Sequence, residues 1–192
     1  MTATTMERTD GTWSVTTRTI VYSAIGAALY AVFNWLSFAF VLPGTQEVNI
    51  RPHYGLLTFF GFAFGPIVGF LTGFVGNVVG DQLTGWGAFT SWHWSLANGV
   101  AGMLAGVLAV WMAGRMTSVA GRALMSAVVA IIATVVGFLL VFLGLILQPE
   151  LGFNTILTTE YIPTIVANSI AAAVVTPILV LAWEPLREQI GR

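Results

Sequence analysis

Residues 52–83 read PHYGLLTFFGFAFGPIVGFLTGFVGNVVGDQL, and how this stretch is divided decides the fold. It is apolar almost throughout, too long for one membrane crossing of about 20 residues and too short for two full ones. Gly65-Pro66 supplies the division, because a proline inside a helix removes a backbone hydrogen bond and clashes with the preceding turn. The cut predicts a second helix of about 14 residues and a third of about 16, both shorter than an ordinary span. Helices of that length sit poorly against lipid unless they end at a cavity inside the protein. Gly55, Gly61, Gly65, Gly69, Gly73 and Gly76 recur along the stretch, and small residues let helix backbones approach closely.

Working outward, residues 18–42 form a long apolar run that ends at Pro43-Gly44, followed by a polar loop over 45–52. On the other side, 82–94 is a tryptophan-rich turn, and further apolar runs cover about 95–113, 123–147 and 161–183. Gln148-Pro149-Glu150 stops the fifth run, and a polar loop continues to Glu160. The sequence therefore predicts an all-α membrane protein with six transmembrane helices. Residues 18–185 form one membrane domain, flanked by a 17-residue N-terminal tail and a short tail at 186–192. The N-terminal tail has no apolar core and does not read as a cleaved signal peptide.

Composition agrees. Of 192 residues 57% are hydrophobic and 8% charged, against roughly 25% charged in a soluble domain. Cysteine is absent, which excludes disulfides, thiolate catalysis and Cys-ligated metals. The net charge of −1, without a basic run, gives no footing for nucleic acid. All seven cations are arginines. In a six-span topology Arg8, Arg18, Arg115, Arg122, Arg187 and Arg192 fall on one side and Arg51 alone on the other. Arginines flanking spans resist translocation, so both termini are expected on the cytoplasmic side. The loops at 43–52, 82–94 and 148–160 then face outward and hold most of the chemistry.

Four groups could carry that chemistry. Asn49, Arg51, His53 and Tyr54 precede or open the second helix. Arg51 can hold an anionic or carbonyl-bearing ligand through its fork of donors, or it can snorkel to headgroups or pair with Glu47. Asn77 and Asp81 lie one turn apart on the third helix and share a face. They point into a cavity, or Asp81 neutralises Arg51 across two helices. Trp86, Trp92, His93, Trp94 and Asn98 make the third group, with Phe89 among them. An interfacial aromatic belt accounts for part of it, but so many aromatics flanked by Gly85 and Gly87 suit a lid over a flat conjugated ligand. In the last span Glu160, Tyr161, Asn168 and Ser169 gather near the outer half, and Asn34 holds a similar place in the first. Buried asparagines can also simply bond neighbouring helices. On the other half of the first span Ala24/Ala28 and Ala27/Ala31 are small-xxx-small pairs, which permit close helix contact, either inside the bundle or with a separate membrane subunit.

Taken together, these residues resemble the substrate-binding S component of energy-coupling-factor (ECF) transporters. The runs VNIRPHYGLLTFFGFAFGPIVGFLTGFVGNVVGDQLTGWG and WHWSLANGVAGMLAG look like the riboflavin-type or cobalamin-type subfamily. The likeness extends over residues 18–185 and is most specific over 48–106. It implies a binder of a vitamin or related micronutrient, with loops 1, 3 and 5 enclosing the substrate. It also implies partnership with a transmembrane T component, contacted through Ala24 and Ala28 or in the register of Ala27 and Ala31, and with two ATPase subunits. No Walker A pattern is present, so ATP would be hydrolysed by those partners. No cofactor is expected. Catalysis finds little footing: HExxH, GxSxG and paired acidic motifs are missing, and His53 and His93 lie in separate loops. A stand-alone ion-coupled carrier is the other reading, with Asp81 as its ionisable residue.

Overall fold

A computed structural model describes residues 11–37, 41–45 and 48–190; Arg8, Glu47 and Arg192 lie outside them. The chain is almost entirely helical. The principal helices are α1 (Thr17–Ser37), α2 (Gly55–Phe64), α3 (Pro66–Thr84), α4 (Trp92–Met112), α5 (Val119–Gly137) and α6 (Ile162–Ile190). Helix α5 continues through a tighter turn at Phe138–Leu143 and a last turn at Gly144–Leu147. Helix α6 is preceded by a helical turn at Gly152–Thr155 and a widened π turn at Ile156–Tyr161. Among the described residues four stretches, Thr17–Leu36, Trp92–Arg115, Val119–Leu147 and Gly152–Arg187, are long and apolar enough to cross a membrane.

The break at Gly65-Pro66 falls where expected. Gly65 takes φ +101°, a conformation that costs glycine little, and Pro66 opens α3 as its first residue, where its missing N–H has no partner to lose. Other boundaries moved. The described part of the first helix ends at Ser37, and Val41 and Leu42 are no longer helical. Leu42 N–H instead donates to the Val48 carbonyl at 2.7 Å, and Val41 pairs with Asn49 as an antiparallel bridge. The Thr45 hydroxyl ties this hairpin by donating to the Leu42 carbonyl. The tryptophan-rich turn is shorter than expected because Trp92, His93 and Trp94 already belong to α4. The loop before the last span is largely helical rather than extended. Helix α5 starts earlier, where the Ser118 hydroxyl caps it by accepting from Gly121 N–H at 3.0 Å.

Helix α2 is the centre of the bundle, touching α1, α3, α4 and α6. Its ten residues rise about 15 Å, half the apolar thickness of a bilayer. Because neighbours surround it, it need not match that thickness. The α2–α3–α4 crossing is a seam of backbone on backbone. A Cβ placed on Gly61, Gly69 or Gly73 would strike the carbonyl of Gly102 or Asn98, and one on Gly102 would strike that of Gly69. Polarity is inverted relative to a soluble domain. Thr58, Thr72, Asn77, Ser95, Asn98 and Thr134 are buried, while Ile170, Val174, Ile178 and Leu181 of α6 and Leu124, Val128 and Ile132 of α5 are exposed. Such an apolar exterior over a hydrogen-bonded interior suits lipid as solvent.

One end of the bundle carries residues 41–45, 48–54 and 85–91 and the turns before α6. At the other end Arg122 forms a two-pronged ion pair with Glu184, at 2.7 and 2.9 Å, joining α5 to α6. Arg187 approaches Glu184 at 3.4 Å.

Candidate functional site

The shortness of α2 makes the site. Arg51 sits just before it, and Arg51 Nη1 donates to Asn77 Oδ1 at 2.9 Å. Asn77 lies seven residues before the end of α3 at Thr84, about 10 Å down its axis. The outer helices rise past this level and α2 does not, leaving a cavity of about 430 Å³. Its wall is built from Asn34 of α1, Val48, Asn49 and Arg51 of the first loop, Asp81 and Thr84 of α3, and Trp86 and Ser91 of the following turn. Trp94 of α4, Gln148, and Glu160, Thr164 and Asn168 at the start of α6 complete it.

A polar network sets the floor. Asn77 is central: its Oδ1 accepts from Arg51 and from Asn98 Nδ2 at 3.3 Å, and its Nδ2 donates to Asp81 Oδ2 at 2.8 Å and to Ser95 Oγ at 3.0 Å. Asn34 Nδ2 approaches Asp81 Oδ1 at 3.5 Å. The Tyr30 hydroxyl donates to Asn98 Oδ1 at 3.1 Å, and Asn98 Nδ2 also reaches the Trp94 carbonyl. Asn77 and Asn98 are wholly buried, where an unpaired amide is expensive, so this web holds Arg51 and Asp81 in fixed places. The expected direct Arg51–Asp81 ion pair does not form; Asn77 stands between the two charges. Pairing of Arg51 with Glu47 concerns a residue outside those described.

The α6 wall differs. Glu160, Thr164 and Asn168 follow one another at four-residue spacing and all reach the cavity, with exposures of 7%, 3% and 2%. Thr164 Oγ1 and Asn168 Nδ2 have no protein partner among the described residues, and Glu160 has neither hydrogen-bond nor ion-pair partner there. Glu160 lies in the π turn, a helix irregularity that is frequent at functional positions. Asn49 Oδ1 is likewise buried and unpartnered. Unpartnered polar atoms also occur away from the cavity, on Ser23 and Thr72, so it is their gathering on one wall with Glu160 that distinguishes this face.

Of the residues singled out from sequence, Asn34, Asn49, Arg51, Asp81, Trp86, Trp94, Glu160 and Asn168 line the cavity, and Asn77 and Asn98 form the layer beneath. The rest sit elsewhere. His53 packs edge-on against Tyr30 at 4.9 Å between ring centres, and Tyr54 packs against Phe138. His93 is buried between Trp92 and Trp94, and Trp92 is exposed beside it. The Tyr161 hydroxyl donates to the Val135 carbonyl at 2.9 Å and its ring meets Phe142, so it locks α6 to α5. Tyr30, Ser95, Thr164 and Gln148 went unnoticed in the sequence. Tyr30 and Ser95 had no distinguishing neighbours, whereas Thr164 could have been found from its spacing between Glu160 and Asn168.

The two alanine registers separate cleanly. Ala27 and Ala31 are 8% and 2% exposed, and α1 lies along α3, where a Cβ on Gly76 would meet the Ala27 carbonyl. They are internal packing residues, and the docking register that used them is corrected on that ground. Ala24 and Ala28 lie on the exposed face beside Ile25 and Leu29.

The family described as ECF-type riboflavin transporter, S component, matches residues 14–184. A UPF0397 protein of Streptococcus gordonii is 30% identical over 178 residues, covering 92% of each chain. A UPF0397 protein of Aliivibrio fischeri strain MJ11 is 35% identical over 105 residues, and one of Streptococcus sanguinis is 40% identical over 91. These last two alignments span about half of either chain, 55% and 48% of the relatives respectively. No solved structure matches the chain.

Proposed function

The chain belongs to the family of ECF-type riboflavin transporter S components, and from that premise we propose that it is the membrane-embedded, high-affinity substrate-binding subunit of an ECF-type importer. S components are transporter subunits and not a class of enzymes, and they work with a T component and ATPases. The finer assignment follows from the cavity. Its buried, unpartnered polar wall on α6, facing the braced Arg51–Asn77–Asp81 floor, is the observation that carries the reading. A volume of about 430 Å³ lies toward the small end of the roughly 300–1,000 Å³ of small-molecule sites. It suits a vitamin or related micronutrient of riboflavin size or below better than a corrin with its nucleotide arm.

Six crossings are part of the proposal: α2 and α3, returning on each other at Gly65, add to the four long stretches. The arginine distribution supports a cavity facing outward and an Arg122–Glu184 end in the bacterial cytoplasm. Trp86 and Trp94 cover the occupant, and Trp86 is held there by a turn in which Gly85 and Gly87 both take φ +90°. Ala24 and Ala28 offer the T component a shallow strip on α1. Native mass spectrometry of the chain purified alone in detergent tests this. A small molecule retained without any ATPase is expected. A chain that is empty, and stays empty when offered a vitamin panel, would point instead to the ion-coupled carrier, with Asp81 as its coupling residue.

A further inference from the structure

Charge in the cavity is not balanced, and the imbalance has an address. Among the described residues its ionisable lining is one guanidinium, Arg51, against two carboxylates, Asp81 and Glu160. Arg51 and Asp81 answer each other through Asn77, and Asn34 adds a second amide toward Asp81. Glu160 has no such answer. It is 7% exposed on a wall otherwise made of neutral groups. The unpartnered Thr164 hydroxyl and Asn168 amide stand four and eight residues further along the same helix, on the same cavity wall. The Glu160 carboxylate, unpartnered and open to the cavity, loses its water once an occupant fills that space, which is costly without a cation, and Thr164 and Asn168 lie on the same wall. Trp86 and Trp94 on the same lining offer ring faces, which attract cations through their quadrupole.

We infer that the occupant carries a positively charged nitrogen, a protonated amine or a cationic N-heterocycle, that docks on Glu160 and hydrogen-bonds the Thr164–Asn168 stripe with tryptophan rings beside it. The inference rests on the substrate-binding reading above and narrows it: a neutral flavin would leave Glu160 uncompensated, and an anion would be repelled by it. Arg51 and Asp81, already matched, orient the occupant's neutral polar atoms.

Native mass spectrometry of the full-length wild-type chain is compared with Glu160→Gln and Glu160→Asp. Each is purified with whatever it retains and then offered an equimolar mixture of thiamine, a cationic heterocycle, and riboflavin, a neutral one. The expected result is an occupant bearing a cationic nitrogen, whose occupancy falls at least tenfold in Glu160→Gln and recovers in Glu160→Asp. Thermal unfolding of the empty Glu160→Gln chain shows no loss of stability, because the substitution relieves a lone buried charge. Retention of riboflavin, or of any neutral or anionic molecule, overturns the cation assignment and leaves the substrate-binding reading standing. A cationic occupant held equally by wild type and Glu160→Gln overturns the role of Glu160. A wild-type chain that purifies empty and stays empty against the full vitamin panel defeats the substrate-binding reading on which this inference rests.

Discussion

Asn77 shows how a single side chain can make two charges compatible with a membrane interior. Its amide accepts from Arg51 with one end and donates to Asp81 with the other, so the ions are matched without touching. Arg51→Ala removes the cation and leaves Asp81 held only by amides. Occupancy by the co-purifying molecule should drop at least tenfold, about 1.4 kcal/mol, in native mass spectrometry, while thermal unfolding of the empty chain moves by only a few degrees. Undiminished occupancy would remove Arg51 from the site. The residues of this floor were legible in the sequence for a physical reason: Arg, Asp and Asn are rare in apolar helices because they must find partners there. Tyr30 and Ser95 bind the same web but cost little in such helices, so nothing marked them. The histidines drew notice for their chemistry, yet neither lines the cavity.

At the scale of the element, the glycine seam explains how three helices come close enough to hold a polar core between them. Gly102→Ala would push a Cβ into the Gly69 carbonyl, backbone that cannot rotate away. Overpacking of this kind costs about 1–3 kcal/mol, and a lowered midpoint in detergent thermal unfolding is expected. Gly114→Ala, with open space around it, is the control that should leave the midpoint unchanged. Glycine recurrence and the Gly65-Pro66 cut could be read in advance, since they are local backbone facts. Helix ends could not. Whether Leu42 continues a helix or bonds Val48 depends on a hairpin closed by Thr45, and Trp92–Trp94 start a helix because of what they pack against. The two alanine registers were equally plausible as strings of letters. Only packing against α3 could tell the inward face of α1 from the outward one.

For the whole molecule, α1 would link the two tasks proposed for it. Tyr30 and Asn34 on its inner face reach the polar web and cavity, and Ala24 and Ala28 look out from the same rod. Ala24→Trp combined with Ala28→Trp should leave small-molecule occupancy unchanged while abolishing uptake by cells expressing the complete transporter; uptake that persists would exclude this docking face. Hydropathy made the all-helical membrane class legible, and arginine placement made a topology readable as an expectation. The enclosure of α2 by its neighbours could not be read from one dimension. That enclosure has a consequence for how such a molecule can change. The helices facing lipid must keep the length the bilayer demands, whereas the innermost one answers to nothing outside the protein. Adding or removing a turn at its Arg51 end would deepen or fill the chamber without altering the surface that lipid sees, so capacity for cargo and fit to the membrane are separately adjustable.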